Sequence, residues 1–185
     1  MPEHCCWVGC KRGGFMSLTE ALPPEPQRAP ARFSGRSEFQ QRVRDALERA
    51  AREAWTEIIF SDANFEDWPL GERAVAESLQ AWSKSGRRFT MLAKNYDEVS
   101  LRHARFVAWR RTWSHIIECW ACPDAVLTDF PSAIWTPSWA LVRLDAERST
   151  GLVTDDPARR VQLREKLREL QRKSTPGFPA STLGL

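Results

Sequence analysis

Three short apolar runs, Glu57–Ser61 (EIIFS), Phe89–Lys94 (FTMLAK) and Ile116–Ala121 (IIECWA), recur along this chain with long amphipathic stretches between them. Runs of five or six apolar residues have strand length. Two strands joined by a helix of ten or more residues cannot close as a hairpin, so consecutive runs are expected to pair in parallel through right-handed crossovers. The intervening patterns are helical. Phe39, Val43, Ala46, Leu47, Ala50 and Ala54 recur at spacings of three and four after Ser37, with Ser37 and Gln40 placed as a capping box. A second helix is predicted from Glu72 to Ser83 with Val75, Leu79 and Trp82 on its stripe and Gly86 at its end, and a third from Asp97 to Trp113 with Phe106, Trp109 and Trp113 inward.

After Pro123 the alternation stops. Residues Ala133–Leu144 and Thr150–Val153 read as two extended pieces around a turn at Asp145–Ser149, an antiparallel hairpin. Asp156-Pro157 then supplies an N-cap and a first-turn proline for a helix to about Lys173, with Leu163, Leu167 and Leu170 facing inward. The fold class is therefore α/β: a mixed, mostly parallel sheet flanked by helices, ending in a hairpin and a C-terminal helix.

The domain is expected over residues 32–174. Residues 1–31 read as a disordered leader and a tether punctuated by Pro23, Pro24, Pro26 and Pro30, with Met16 the expected natural start, and 175–185 as a flexible tail. No apolar run approaches the roughly 18 residues of a membrane span, and five cysteines without a signal peptide suit reduced thiols in a cytoplasm. The net charge of +3 in 185 residues argues weakly for nucleic acid.

The order of these elements, and phrases such as TEIIFSDANF followed by a helix closing on SGRRFTMLAKN, resemble half of a phospholipase D-type domain over residues 37–173. A similar resemblance links the chain to bacterial domains of unknown function that can accompany an acetyltransferase, whose basic last helix is like DDPARRVQLREKLRELQRKS. The resemblance implies a strand bearing His-x-Lys and a following Asp, and a bacterial setting in which two such halves pair as a homodimer. Register set by LVRLD puts Ser138 at the histidine position, Ala140 at the lysine position and Asp145 at the aspartate position. In that family, the resemblance implies, phosphodiester transfer uses the imidazole as nucleophile and the lysine to hold phosphate oxygens. The implied function is a non-catalytic binding or regulatory module, a pseudoenzyme, with no cofactor and no metal.

Several residues carry competing readings. Cys119 and Cys122 have redox or zinc-knuckle spacing, and Cys6 and Cys10 formally complete four zinc ligands. Strand alternation instead puts the first pair on opposite faces, as ordinary packing. Asp62, Asn64, Asp97 and Asp124 follow strands, where open α/β sheets bind ligands, and otherwise cap loops. On that carboxylate set rests the alternative of a phosphodiesterase with a shifted metal site. Arg159, Arg160, Arg164 and Arg168 make the last helix a candidate anion site, and with it the alternative of a nucleic-acid-binding module. Trp135 and Trp139 are expected on one face of an extended strand.

Overall fold

The structure, a computed structural model, describes residues 30–84, 88–123 and 130–180. The leader with Met16, Cys6 and Cys10, the helix stop at Gly86, and Asp124 lie outside the described residues. The elements run β1 (Ala31–Phe33), α1 (Arg36–Arg52), β2 (Glu57–Asp62), α2 (Arg73–Ser83), β3 (Arg88–Ala93), α3 (Asp97–Arg102), α4 (Ala104–Thr112), β4 (Ile117–Ala121), β5 (Ser132–Trp135), β6 (Ala140–Asp145), β7 (Thr150–Thr154), α5 (Pro157–Arg172) and β8 (Thr175–Pro176).

All eight strands form one sheet in the order β1-β7-β6-β5-β2-β3-β4-β8. The crossovers predicted from the apolar runs are present: β2 pairs parallel with β3, and β3 with β4. The sheet is mixed rather than mostly parallel, because every other pairing is antiparallel. Those pairings come from the C-terminal part of the chain, which folds back beside β2, and from two short edge strands. One edge strand, β1, lies directly before α1.

The expected long strand over Ala133–Leu144 is two strands. Thr136–Trp139 turns the chain, with the Thr136 amide donating to the Trp139 carbonyl at 2.9 Å and the Thr136 hydroxyl accepting from the Trp139 amide at 3.0 Å. Trp135 and Trp139 therefore leave the sheet on opposite sides. Trp139 stacks on Trp55, with ring centroids 6.0 Å apart, and Trp135 packs under α5.

Helix α1 carries the predicted stripe, with Phe39, Val43, Ala46, Leu47 and Ala50 buried. Its cap differs from expectation. Gly35, at φ 92°, takes the N-cap position that Ser37 was expected to hold, and Glu38 rather than Gln40 reaches back, accepting from the Ser34 amide at 3.0 Å. Gln40 is drawn away to donate to the Asp67 carbonyl at 2.9 Å. The predicted third helix breaks into α3 and α4 at His103, whose ring bonds to the Phe65 carbonyl at 3.0 Å. Helix α5 starts as predicted, with the Asp156 carboxylate accepting from the Ala158 amide at 2.9 Å and Pro157 in the first turn.

Helices α1 to α4 cover one face of the sheet over a core that includes Phe39, Phe60, Trp68, Phe89 and Trp109. Helix α5 covers the other face through Leu163 and Leu167, over Ile59, Leu92, Trp135 and Ala140. Residues past α5 were expected to be loose, but β8 pairs with β4, the Gly177 amide donates to the Cys119 carbonyl at 2.9 Å, and Phe178 stacks on Tyr96. Gly177 is required there, since a Cβ would lie 2.7 Å from that of Ala121. Among the described residues no helix is long and apolar enough to cross a membrane.

Candidate functional site

Strand β6 carries the positions singled out by the register above. Ser138 sits exposed in the turn before β6, Ala140 opens the strand, and Asp145 closes it. Ala140 is 1% exposed and packs in the layer under α5, paired with Trp135 on one side and Thr154 on the other. Asp145 accepts from the Arg148 amide at 2.9 Å and serves the β6–β7 turn. Among the described residues neither remaining histidine serves Ser138. His103 is tied to the Phe65 carbonyl, where burial pushes its pKa down, and His115 lies beside the Trp113 ring ahead of β4.

Of the residues read either as a ligand set or as loop caps, Asp62, Asn64 and Asp97 are described. Asp62, at the end of β2, points into the α1 side of the sheet and is 2% exposed. Its Oδ2 accepts from Arg143 Nη2 at 2.8 Å and from the Ser132 hydroxyl, while Oδ1 accepts the Asn64 and Phe65 amides at 3.2 and 2.9 Å. Arg143, opposite Ser132 in the β5–β6 register, also donates from Nε to Ser132 at 2.9 Å and from Nη1 to Asp67 at 3.1 Å, and lies 4.6 Å over the Phe39 ring. Arg36 pairs with the other oxygen of Asp67. This buried polar cluster was missed by sequence reasoning. Its one signal was an arginine at an inward position of an otherwise apolar strand, LVRLD. Asn64 accepts from the Glu66 amide, and Asp97 lies exposed in the first turn of α3. Among the described residues no group of three or more His, Cys, Asp or Glu side chains is placed to hold a metal.

Cys119 and Cys122 point to opposite faces of the sheet, one into each core layer. Burial raises the Cys119 thiol above its ordinary pKa, although Arg110 beside it opposes the shift.

The four arginines proposed for anion binding separate. Arg159 pairs with Asp156, and Arg160 donates to the Asp155 carbonyl. Arg164 and Arg168 turn toward the strands. Together with Arg88, Thr90 and Gln171 they line a cleft of about 280 Å³ between α5 and β2–β4, and Glu57 and Glu118 are in the same lining. Arg164 donates to Glu57 at 2.9 Å and lies 4.5 Å over the Trp135 ring, leaving its Nε without a partner. Arg168 and Lys166 make no ion pair among the described residues.

Similar solved structures decide the fold. Nuc from Salmonella typhimurium, a phospholipase D family member, matches with a TM-score of 0.54 at 10% identity over 80% of this chain and 99% of its own. The fold is phospholipase D-like. TrmBL2, an archaeal chromatin protein with a novel mode of DNA binding, matches with a TM-score of 0.59 at 15% identity over 86% of this chain. Polyphosphate kinase from Porphyromonas gingivalis matches at 0.53 and 16% identity over 90%. The chain spans 57% of the TrmBL2 chain and 30% of the kinase. No family model and no curated protein matches it.

Proposed function

We propose that this chain is a non-catalytic module of phospholipase D-like fold that binds a phosphate-bearing ligand in the cleft between α5 and the sheet. The observation that carries the first half is Ala140. At the position the resemblance gives to a phosphate-holding lysine, the chain has a methyl group at 1% exposure, sealed beneath Leu163 and Leu167. Ser138, at the histidine position, has no hydrogen-bonded base among the described residues to activate its hydroxyl. The second half is supported by the convergence of Arg88, Arg164 and Arg168. Guanidinium groups match phosphate oxygens in a bidentate fork. Arg168 is exposed and carries no carboxylate partner among the described residues that a ligand would have to displace.

The test has two arms. A chromogenic phosphodiester, with and without divalent metal, is expected to show no turnover; turnover lost in Ser138→Ala or Asp62→Ala would refute the non-catalytic reading. Inorganic pyrophosphate is expected to raise the melting temperature saturably in the wild type and not in Arg168→Gln, and an equal rise in both would refute the cleft.

Nucleic acid is the second reading, favoured by the likeness to a DNA-binding chromatin protein. Against it, Arg159, Arg172 and Lys173 are each paired with a neighbouring carboxylate, which leaves α5 without a continuous basic stripe. Oligonucleotide binding whose affinity falls steeply with salt would favour it over a compact phosphate ligand.

A further inference from the structure

A second cavity, of about 410 Å³, lies at the β4 edge of the sheet under the C-terminal segment, and Arg110 of α4 lines it. Arg110 is 6% exposed, yet it has no ion pair among the described residues. Its Nε donates to the Cys119 sulfur at 3.2 Å, its Nη1 is buried without a partner, and the Phe178 ring lies 5.1 Å from its guanidinium carbon. A guanidinium taken out of water without a counter-charge is strongly disfavoured. The Cys119 thiol and the Tyr96 phenol beside it do not supply one. Burial holds the Cys119 thiol protonated above its ordinary range, and burial pushes the Tyr96 phenol well above its own. The Tyr96 hydroxyl is already committed to the Met91 and Trp120 carbonyls, both at 2.9 Å.

Glu118, Cys119, Trp120, Pro176, Gly177 and Pro179 complete the lining. Glu118, its one carboxylate, is exposed and makes no ion pair with Arg110, and the other side chains are largely apolar. A site with one buried cation at its base and aromatic and prolyl walls suits a ligand with one anionic end and an apolar body. Phe178 closes over the cation: it stacks on Tyr96 at 4.9 Å and 8°, and its own backbone has φ 47°, a conformation that a non-glycine residue holds at some cost. That segment joins the sheet through the two-residue strand β8, in which Pro176 has no amide to donate, and through the Gly177 amide on the Cys119 carbonyl.

The geometry points to a binding site for a small organic monocarboxylate at Arg110, with the C-terminal segment from Thr175 to Pro179 as its cover. The carboxylate supplies the missing counter-charge to the guanidinium, and the apolar body lies between Trp120 and the two prolines. The site shares Glu118 with the lining of the α5 cleft but none of that cleft's arginines, and it stands whether or not that cleft binds phosphate.

The experiment uses the full chain in a chloride-free buffer, with benzoate and hexanoate as probes, and reads melting temperature together with tryptophan fluorescence. Saturable stabilisation is expected in the wild type and in Arg168→Gln, with a fluorescence change that follows the same curve through Trp120. Arg110→Met is expected to melt at or above the wild-type temperature without a probe, because the unpaired buried charge is gone, and to show no response to either probe. Phe178→Ala is expected to keep the response with faster association, since the cover is looser. The proposal is overturned if neither probe stabilises the wild type, if chloride stabilises it equally, or if Arg110→Met still responds. It is also overturned if Arg110→Met melts well below the wild type, which would make Arg110 a structural residue.

Discussion

Replacing Arg143 by methionine keeps most of the volume of its stem and removes only the charged head, so the variant isolates the polar cluster. In the folded protein that head donates to Asp62, Ser132 and Asp67 and covers Phe39, with a side chain only 4% exposed. Removing one member of a buried, hydrogen-bonded ion pair costs about 3–5 kcal/mol, because the other charge stays buried. Asp62 retains the Asn64 and Phe65 amides and the Ser132 hydroxyl, which places the loss at the lower end, about 3 kcal/mol. For a domain of this size each kcal/mol moves the melting temperature by roughly 2–4 °C, so a drop of roughly 6–12 °C is expected. Urea unfolding followed by tryptophan fluorescence measures it, with an unchanged m-value as the check that the unfolded state is the same. Asp62→Asn combined with Arg143→Met is expected to recover about 1–3 kcal/mol relative to the sum of the single variants, since the double variant leaves no charge unpaired. A single-variant loss under about 1 kcal/mol, or strict additivity, would refute the reading of Asp62 and Arg143 as a mutually dependent buried ion pair.

Three further outcomes follow from the packing. Ala140→Lys, which restores the residue type the phospholipase D resemblance implies, is expected to lower stability by several kcal/mol and loosen α5 rather than confer phosphodiesterase activity, with hydrogen exchange in α5 as the readout. Gly151→Ala would bring a Cβ to 2.2 Å from the Val142 carbonyl oxygen and 2.4 Å from Phe33 Cζ, so a loss of at least about 1–3 kcal/mol and release of β1 are expected in chemical denaturation. His103 sets a pH dependence. Burial depresses its folded pKa below the unfolded value of 6.5, so both states are neutral above pH 6.5 and stability is unaffected there. As pH falls below 6.5 the unfolded state takes up a proton that the folded state resists, and stability falls at up to about 1.4 kcal/mol per pH unit until the folded pKa is reached. His103→Gln is expected to lose that part of the acid slope, and an unchanged slope would contradict the assignment.

The parallel core of this protein was legible in its sequence because the signals there are local. EIIFS, FTMLAK and IIECWA are each long enough to be strands, the stripes of α1 and α2 keep helical periodicity, and Asp156-Pro157 marks a helix start by cap chemistry alone. The opposite orientations of Cys119 and Cys122 followed from strand alternation in the same way.

What only the tertiary structure decided involved partners distant in the chain. Asp62 and Arg143 are 81 residues apart, and nothing near either one says that the aspartate is consumed by an ion pair rather than offered to a ligand. The turn at Thr136–Trp139 rests on one backbone hydrogen bond and two made by the Thr136 hydroxyl, without the glycine or Asn-Gly that would announce it. The return of Thr175–Phe178 to the edge of β4 depends on Tyr96 and Arg110 presenting a surface for Phe178, which no property of a proline-rich tail reveals. Hydrophobic period and capping are encoded within a turn or two of the chain. Pairing of buried charges and capture of a sheet edge depend on which residues meet once the chain has closed, and in this protein those meetings decide where a ligand could bind.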